Sequence, residues 1–445
     1  MSFDLEEPKT IAALLAMHGG SIKTGPFGTV LKASEYAIEG VPLISVREIG
    51  HGAFHIDGKT PRVGTATLAR LPEYILAEGD IVFARKGGIE RCALIRKQQA
   101  GWFLGSDGIR LRPPKSCDAR YLAYCLQTQA VKKWLLQHST GSTMASLNQA
   151  TVGRLPVELP SLSDQRIVAD TLESLDDRIT LLRETNATLE AIAQAPFKSW
   201  FVDFDPVRAR MEDRVPEGMD EATAALFPDG FEESELGLVP RGWQTCAFTE
   251  AVNVIGGGTP KTSISEYWGG KIPWFSVVDA PSGTDTFVVD TDKHITETGL
   301  KNCSTKLLSV GTTIISARGT VGRLALVGRD MAMNQSCYGL RGKADDAYFT
   351  YFTTCRLVDA LKQRSHGSVF DTITRETLAS VFVVYPSKRE IQTFESTISP
   401  VMERIKENLM QAQTLATLRD TLLPRLISGQ LRLPEAEALL EEAFA

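Results

Sequence analysis

The stretch that decides the fold is residues 163–195, SDQRIVADTLESLDDRITLLRETNATLEAIAQA. Its apolar residues, together with one asparagine, recur at alternating intervals of four and three residues: Val168, Leu172, Leu175, Ile179, Leu182, Asn186, Leu189 and Ala193. This heptad spacing is typical of an α-helix that buries a narrow seam against a partner helix. Such a helix would extend for roughly 50 Å at 1.5 Å per residue.

A second heptad seam follows near the end of the chain, displaced by 226 residues from the first. Its members are Phe394, Ile398, Val401, Ile405, Asn408, Ala412 and Leu415. A core helix usually carries a wider apolar stripe, so we favour pairing of the two seams with each other over packing of each helix on its own module. Asn186 and Asn408 would then help to set the register of the pair.

Capping and helix-breaking residues predict where the two helices begin and end. Asp164 and Ser387 lie near the predicted starts, where their oxygen atoms can accept hydrogen bonds from free N–H groups. Pro196 and Pro424 are predicted to interrupt the helices, because proline lacks the N–H that a helix needs.

The segments before the two seams are also repeated, at an offset near 230. Residues 41–46 (VPLISV) recur as 272–277 (IPWFSV), with a proline near the start, as expected of an edge strand. Residues 84–95 (ARKGGIERCALI) recur as 317–327 (ARGTVGRLALV), which predicts a strand, a glycine turn carrying arginines, and a second strand. Further short matches are Gly141-Ser142 with Gly367-Ser368, and residues 155–160 with 381–386. The chain is therefore predicted to contain two copies of one module.

These patterns predict an α+β fold in which two similar globular domains are joined by two long antiparallel coiled-coil helices. The simplest pairing of two such modules has a pseudo-twofold axis and the form of a dumbbell. Residues 205–240, rich in proline, glycine and acidic residues, are predicted to connect the first helix to the second module along the surface.

The composition is that of a folded protein with more than one domain. The chain has 445 residues, of which 43% are hydrophobic and 23% charged, and its mean hydropathy is -0.08. No segment reads as a membrane span or a signal peptide. The seven cysteines contain no CxxC pair, which is typical of free thiols in a reducing compartment, so we expect a cytoplasmic protein.

The net charge of -6 is unevenly distributed along the chain. Residues 1–160 hold 19 Lys and Arg against 14 Asp and Glu, and residues 237–385 hold 15 against 13. The intervening residues 161–236 hold 7 against 18. Two mildly basic modules therefore alternate with acidic segments, which weakly favours phosphate binding by the modules.

Motifs for catalysis or metal binding are weak. His51 and His55 have the i, i+4 spacing of a zinc helix, but the glycine between them favours a loop. Residues 256–262 (GGGTPKT) resemble a phosphate loop, yet Pro260 replaces the glycine before the lysine and removes an N–H that would face a phosphate. We therefore predict that this chain has no catalytic site, no metal site and no cofactor of its own.

The remaining functional candidates are polar and basic residues, most of them on glycine-rich turns. Arginine and lysine can bind guanine edges or phosphates, and amide side chains suit adenine. The candidate DNA-binding residues are Arg85, Lys86, Arg91, Lys261, Arg318, Arg323, Asn334, Gln335 and Arg364. For the arginines, an ordinary surface position is the alternative interpretation.

Several runs resemble the DNA specificity (S) subunit of type I restriction-modification systems. They are GPFG at 25–28, GGTP at 257–260, RGTVG at 318–322 with NQS at 334–336, FKSWFVDFDP at 197–206, ELGLVPRGW at 235–243 and LLPRLISG at 422–429. The resemblance covers nearly the whole chain, although the first module lacks the Gly-Trp segment with which the second begins.

The resemblance implies an organisation of six segments. These are a first target-recognition domain (1–160), a first spacer helix (161–204), a linker (205–240), a second target-recognition domain (241–386), a second spacer helix (387–430) and a C-terminal tail (431–445). Each domain would read one half of a bipartite, asymmetric site on double-stranded DNA, and the helices would act as a ruler that fixes the unread spacer.

The resemblance also implies partners. Two methyltransferase subunits and the motor-nuclease subunits would carry the chemistry that uses S-adenosylmethionine, ATP and Mg²⁺, whereas this chain would be non-catalytic. Phe197, Trp200 and Phe201 are candidates for docking those partners, with packing against the neighbouring module as the alternative. A free-standing DNA-binding regulator and an enzyme with a concealed active site are the other functions that remain open.

Overall fold

A computed structural model describes residues 9–140, 145–281, 285–364 and 372–431 of the chain. The chain divides into two compact units. The first unit contains the residues up to Asp177 and those from Leu415 onward, and the second unit contains Arg178–Thr414. Each unit therefore holds one of the predicted modules together with parts of both long helices.

The first unit is built on two small sheets. Its strands are β1 (Lys9–Thr10), β2 (Ser21–Thr24), β3 (Tyr36–Ala37), β4 (Val41–Ile44), β5 (Arg62–Val63), β6 (Ile81–Ala84), β7 (Cys92–Leu94), β8 (Phe103–Leu104), β9 (Gly108–Arg112) and β10 (Pro156–Val157). Its helices are α1 (Ile11–His18), α2 (Thr65–Arg70), α3 (Ala119–Gln127), α4 (Gln129–His138), α5 (Gln149–Gly153) and the first part of α6 (Leu162–Lys198). The sheets have the strand orders β2-β9-β6-β7 and β3-β5-β4-β8, and β1 pairs with β10.

The second unit adds its own strands and helices in chain order. The strands are β11 (Phe231–Ser234), β12 (Gly237–Pro240), β13 (Gln244–Ala247), β14 (Val252–Gly256), β15 (Trp268–Phe275), β16 (Phe287–Val288), β17 (His294–Ile295), β18 (Thr313–Ser316), β19 (Leu324–Val327), β20 (Ala332–Met333), β21 (Cys337–Gly342) and β22 (Phe382–Tyr385). The helices are α7 (Asp205–Met211), α8 (Glu221–Ala224), α9 (Phe248–Ala251), α10 (Glu297–Lys301), α11 (Ala347–Arg364), α12 (Arg375–Ala379) and α13 (Lys388–Ile427), whose last residues belong to the first unit.

The two units repeat the same topology, which confirms the tandem repeat. The order β14-β21-β18-β19 matches β2-β9-β6-β7, the order β17-β15-β20 matches β5-β4-β8, and the pair β13-β22 matches β1-β10. Strand β16 extends the larger sheet of the second unit by a parallel pairing with β19. The matches at Gly141-Ser142 and Gly367-Ser368 lie outside the described residues.

The proline-containing strands β4 and β15 are central in their sheets, and not edge strands as the prolines predicted. Strand β4 lies between β5 and β8, and β15 lies between β17 and β20. The Leu43 N–H of β4 points toward the residues just before β5 and donates to the Pro61 carbonyl at 2.8 Å. Pro42 therefore stands at a position where the sheet needs no donor, so it interrupts no hydrogen bond.

Helices α6 and α13 bury their heptad seams, as predicted. Every seam position is buried except Leu189 and Val401, which are half-buried. Within the second unit, the Asn186 and Asn408 side chains meet, and Phe197 packs on Phe394 with ring centroids 5.8 Å apart. Residue numbers rise along one helix as they fall along the other, so the pair is antiparallel.

The helix ends differ from the prediction in two respects. Ser161, not Asp164, caps α6, because its hydroxyl accepts the Asp164 N–H at 3.2 Å. Pro196 and Pro424 lie inside α6 and α13 and do not interrupt them. Helix α6 instead ends through a π-helical turn, Ser199–Asp203, followed by Phe204 in the left-handed conformation (φ 56°).

Residues 205–240 are more ordered than their composition predicts. They form α7, α8 and the β11-β12 hairpin. Val207 and Phe227 are fully buried in a hydrophobic cluster that also contains Trp200 and Trp243. The segment is therefore part of the second unit's core, because its few apolar residues pack on the aromatic end of α6.

Candidate nucleic-acid interface

Four loops of the first unit meet beside the ends of β2, β6 and β9. The Gly25 N–H donates to the Gly108 carbonyl (3.0 Å), the Arg85 N–H to Asp107 (2.8 Å), and the Leu147 N–H to Arg85 (2.8 Å). These backbone bonds tie together residues 24–28, 85–91, 105–108 and 145–149, which we call the first platform.

The second unit contains the corresponding arrangement. The Ala317 N–H donates to the Ser336 carbonyl (2.7 Å) and the Ile373 N–H to Ala317 (2.8 Å). The Gly258 N–H donates to the Met333 carbonyl at 3.0 Å. Residues 256–260, 317–323, 333–337 and 372–375 form the second platform.

The backbone bonds give a different alignment of the two turns from the sequence comparison. The Ala84 N–H donates to the Arg91 carbonyl at 3.0 Å, and the Ser316 N–H donates to the Arg323 carbonyl at 2.9 Å. Each of these arginines directly precedes the next strand. The backbone of Lys86 forms an isolated β-bridge with that of Ser146, and the backbone of Arg318 forms one with that of Thr372. Lys86 thus corresponds to Arg318, and Arg85 corresponds to Ala317. The sequence comparison had paired Arg85 with Arg318.

Glycine gives both turns the same unusual backbone. Gly87 has φ +68° and Gly319 has φ +77°, and no heavy atom beyond the chain neighbours lies within 4 Å of a Cβ built on either. The left-handed conformation, not crowding, accounts for glycine at both positions. Each turn therefore carries an exposed cation, Lys86 or Arg318, immediately before its left-handed glycine.

The predicted cations of the first platform are held to different degrees. Arg85 is half-buried and donates to the Ser106 carbonyl at 3.4 Å, and its Cζ lies 5.2 Å from the centroid of the Phe27 ring. Lys86 Nζ lies 3.6 Å from Asp107 Oδ1, a partly exposed ion pair that contributes little to stability. Arg91 donates its Nε–H to the Gly88 carbonyl at 3.3 Å.

The predicted residues of the second platform include amides as well as arginines. Arg318 and Gln335 are exposed, and the Gln335 Oε1 accepts a hydrogen bond from Thr259. Asn334 Oδ1 accepts the Ser336 N–H at 3.0 Å, so this amide oxygen holds its own loop. Arg323 donates to the Pro281 carbonyl at 2.8 Å, which directs its guanidinium toward the segment before residue 282.

Two of the predicted DNA-binding residues lie beyond the platforms. Lys261 is exposed and follows the 256–260 loop, and its carbonyl accepts the Trp268 indole N–H at 3.3 Å. Arg364 ends α11, and its side chain lies outside the described residues.

Three side chains that belong to the platforms were not among the predicted residues. Phe27 is exposed, and the first module's GPFG run places it beside Arg85. The Gln149 side-chain oxygen accepts from the Thr24 hydroxyl at 3.2 Å, and Arg375 donates to the Val254 carbonyl at 3.0 Å. Only the GPFG run offered a sequence signal, because the other contacts join residues more than 100 positions apart.

The residues proposed for partner docking lie in the interior of the second unit. Phe197, Trp200 and Phe201 are all buried. They form an aromatic cluster in which Phe201 lies 5.0 Å from Phe349 and 5.2 Å from Phe394, between ring centroids. The alternative interpretation, packing against the neighbouring module, describes this arrangement.

The two histidines at the i, i+4 spacing lie in a loop between β4 and β5. Partial desolvation and the nearby Lys132 lower the pKa of His51, although Glu90 acts in the opposite direction. Among the described residues, no group of three or more His, Cys, Asp or Glu side chains is placed to hold a metal ion. No helix in the described part of the chain is long and apolar enough to cross a membrane.

Two glycines of the GGGTPKT run allow their loop to pack closely against neighbouring residues. A Cβ on Gly257 would lie 2.0 Å from the Asn334 carbonyl oxygen, and one on Gly258 would lie 2.2 Å from the Ser304 hydroxyl. The Gly258 carbonyl accepts the Trp274 indole N–H at 3.0 Å. The loop is thus pressed against its neighbours, and Gly25 packs in the same way on Gly105 in the first platform.

Comparisons with known proteins agree with this repeated architecture. The pattern of the type I restriction modification DNA specificity domain matches twice, at residues 32–191 and 240–417. The specificity subunit of the type I restriction enzyme HindI from Haemophilus influenzae is 28% identical over 340 residues, covering 67% of this chain and 73% of that protein. The MjaIX specificity subunit from Methanocaldococcus jannaschii is 25% identical over 330 residues, covering 73% of this chain and 71% of that protein.

A solved structure shares the fold. The type I restriction-modification S subunit from M. genitalium superposes with a TM-score of 0.52 at 16% identity, covering 96% of this chain and 97% of that chain. The two pattern matches together span more than half of the sequence. The chain therefore belongs to the DNA specificity family of type I restriction-modification systems, as one of their non-catalytic DNA-recognition subunits with two specificity domains.

Proposed function

We propose that each platform reads one half of a bipartite, asymmetric site on double-stranded DNA. The observation that carries this proposal is the repetition of one four-loop arrangement with different side chains on it. Arg85 and Lys86 in the first platform correspond to Ala317 and Arg318 in the second. Since the two platforms share a backbone arrangement, each should approach its half-site with the same geometry. Since their side chains differ, the two half-sites should differ in sequence.

Basic and amide groups on the platforms can bind both the phosphates and the base edges of a DNA duplex. Exposed cations such as Lys86 and Arg318 can bind phosphates or guanine edges, and the Gln335 amide can face a base edge. Two further DNA-binding candidates, Lys261 and Arg364, would contact the phosphate backbone. The antiparallel helix pair would hold the two modules a set distance apart, with α6 extending for about 56 Å at 1.5 Å per residue.

The same proposal includes the partners. Two methyltransferase subunits and the motor-nuclease subunits would bind this chain, and S-adenosylmethionine, ATP and Mg²⁺ would be held by those subunits in the cytoplasm. Phe197, Trp200 and Phe201, being buried, would support a docking surface without forming its outer face.

The test is to combine the chain with the methyltransferase subunits of its own system and map the methylated adenines across a genome. We expect a target with two unlike halves and an unread spacer. Exchange of residues 1–160 for the module of a relative should change one half and leave the other intact. A single continuous target, or a change in both halves after the exchange, would contradict the proposal.

The chain alone serves as the control. We expect it neither to methylate nor to cleave DNA, and to confer sequence choice once the methyltransferase is added. Tight, specific binding in a gel shift that does not change when methyltransferase is added would instead favour a free-standing regulator.

A further inference from the structure

Phe27 is displayed by a closely held turn. The side chain is 56% exposed, yet its carbonyl accepts the N–H groups of Val30 (2.8 Å) and Leu31 (3.1 Å). A Cβ on Gly25 would lie 1.8 Å from the Gly105 carbonyl oxygen, so the turn has no room to shift. A single exposed apolar side chain is common on protein surfaces, and exposure alone assigns no role.

Arg85 provides the second observation, because its guanidinium covers one face of the Phe27 ring. The Cζ atom lies 5.2 Å from the ring centroid, and Nη1 donates to the Ser106 carbonyl at 3.4 Å. A cation on the ring face favours one orientation of the ring. Gly257 packs on the Asn334 carbonyl as Gly25 packs on the Gly105 carbonyl, so Thr259 stands where Phe27 does. Ala317 stands where Arg85 does, so this pair belongs to the first module alone.

The surroundings of the ring fit a DNA duplex. The turn that carries Arg85 also carries Lys86, which is exposed and lies 3.6 Å from Asp107, so a cation that can attract phosphates belongs to the same platform as the ring. Because Arg85 occupies one face, the ring cannot be sandwiched between two stacked bases. Its free face and edge suit a one-sided apolar contact, and the apolar group that a base pair presents in the major groove is the C5 methyl of thymine.

We propose that Phe27, oriented by Arg85, packs on the C5 methyl of a thymine in the half-site read by the first module. Phe27 would then be a specificity-determining residue for that base pair, and Arg85 a positioning residue. This inference rests on the proposed function, in which the first module reads one half-site.

The experiment replaces each thymine of that half-site in turn by uracil, which lacks only the methyl group. Binding of synthetic duplexes to the complex of this chain with its methyltransferase is measured for the natural chain and for Phe27→Ala. The natural chain should lose roughly fourfold in affinity at one position, as expected for a buried methyl group worth about 0.8 kcal/mol. Phe27→Ala should bind the thymine duplex several-fold more weakly and show no loss on uracil substitution at that position.

Two further variants separate this contact from general effects. Phe27→Leu keeps an apolar group and should retain part of the uracil sensitivity. Tyr36→Ala removes another exposed aromatic of the same unit, one that adjoins the acidic Glu35, and should behave like the natural chain.

The outcomes distinguish this inference from the proposed function. If no thymine position responds to uracil, or if Phe27→Ala keeps the full uracil sensitivity, the inference is overturned while bipartite reading stands. If the natural complex recognises no bipartite site, the proposed function itself fails. Unchanged discrimination at the second half-site by Phe27→Ala shows that the variant is folded.

Discussion

At the scale of single residues, Glu395 of α13 joins two helices through a half-buried carboxyl group. Its Oε1 accepts the Phe349 N–H at 2.7 Å, near the start of α11. Burial raises the pKa of Glu395 to about 7, although the N–H groups of Phe349 and Tyr348 favour the ionised form. The protonated form is therefore the one that the folded state stabilises.

This shift predicts how stability changes with pH. The contribution of Glu395 should be fully present below its ordinary pKa of 4.5 and should be lost as the pH rises through about 7. Glu395→Gln keeps an acceptor oxygen but cannot ionise. The loss in unfolding free energy between pH 5 and pH 8 should therefore be about 2 kcal/mol smaller in the variant, measured by denaturant unfolding.

Glu407→Gln is the matched control, because Glu407 is an exposed carboxylate on the same helix. It should leave the pH dependence of unfolding unchanged. Equal pH dependence in the natural chain and in Glu395→Gln would show that the folded state does not raise the pKa of this carboxyl group.

The seam residues could be predicted from sequence, whereas the platforms could not. A seam such as Leu172, Leu175 and Ile179 is a local pattern, because helix geometry alone brings those positions to one face. The platform depends on contacts such as the Leu147 N–H with the Arg85 carbonyl, 62 positions away. Sequence comparison named most of the basic residues, but only the backbone bonds show that Lys86 stands where Arg318 does.

At the scale of elements, a buried asparagine pair specifies how α6 and α13 align. Asn408 donates its side-chain N–H to Asn186 Oδ1 at 2.9 Å, and Asn186 donates to the Ile405 carbonyl at 3.0 Å. Both side chains are 2% exposed. Since each amide has its partner inside an apolar seam, the register that brings them together is favoured over its neighbours.

Single and double substitutions test this role. Asn186→Leu leaves the Asn408 amide buried without its acceptor and should lower the unfolding free energy by about 1–3 kcal/mol. The double variant Asn186→Leu, Asn408→Leu should recover most of that loss, because no buried polar group is left unpaired. Denaturant unfolding of both variants measures the coupling, with Gln194→Leu on the exposed face of α6 as the control. Simple additivity of the two substitutions would contradict the pairing.

The position where α6 ends and the structure of the linker depend on contacts between residues distant in sequence, so they could not be predicted from local sequence. Pro196 was predicted to interrupt α6, but it stands only three residues before the π-helical turn. The lost hydrogen bond therefore falls where the α-helical ladder is already ending. Likewise, Phe227 is buried on the aromatic end of α6, which a segment rich in proline and acid did not suggest.

At the scale of the whole molecule, the two modules and the segment between them differ in charge. The modules hold the basic surplus, whereas residues 161–236, which contain α6 and the linker, hold 18 acidic residues against 7 basic ones. Most of this acidic excess lies in the linker, where residues 205–236 hold 10 acidic residues against 3 basic ones, whereas α6 and α13 together hold 12 against 10. Because acidic side chains repel phosphates, the linker is the segment least suited to contact DNA, and DNA contact would fall to the two modules.

The ruler proposal predicts the effect of shortening both helices by one heptad. Asn186 faces Asn408, and Asp176 pairs with Arg419 at 2.6 Å, so seven residues can be removed from α6 between positions 176 and 186 and seven from α13 between 408 and 419. Both seams then keep their phase, because the seam repeats every seven residues. Each helix loses about 10.5 Å, which corresponds to about 3 base pairs, and mapping of methylated adenines should find a shorter spacer between unchanged half-sites. Replacing the same heptads by others of equal length should leave the spacer as it was, and an unchanged spacer after the deletion would refute the ruler.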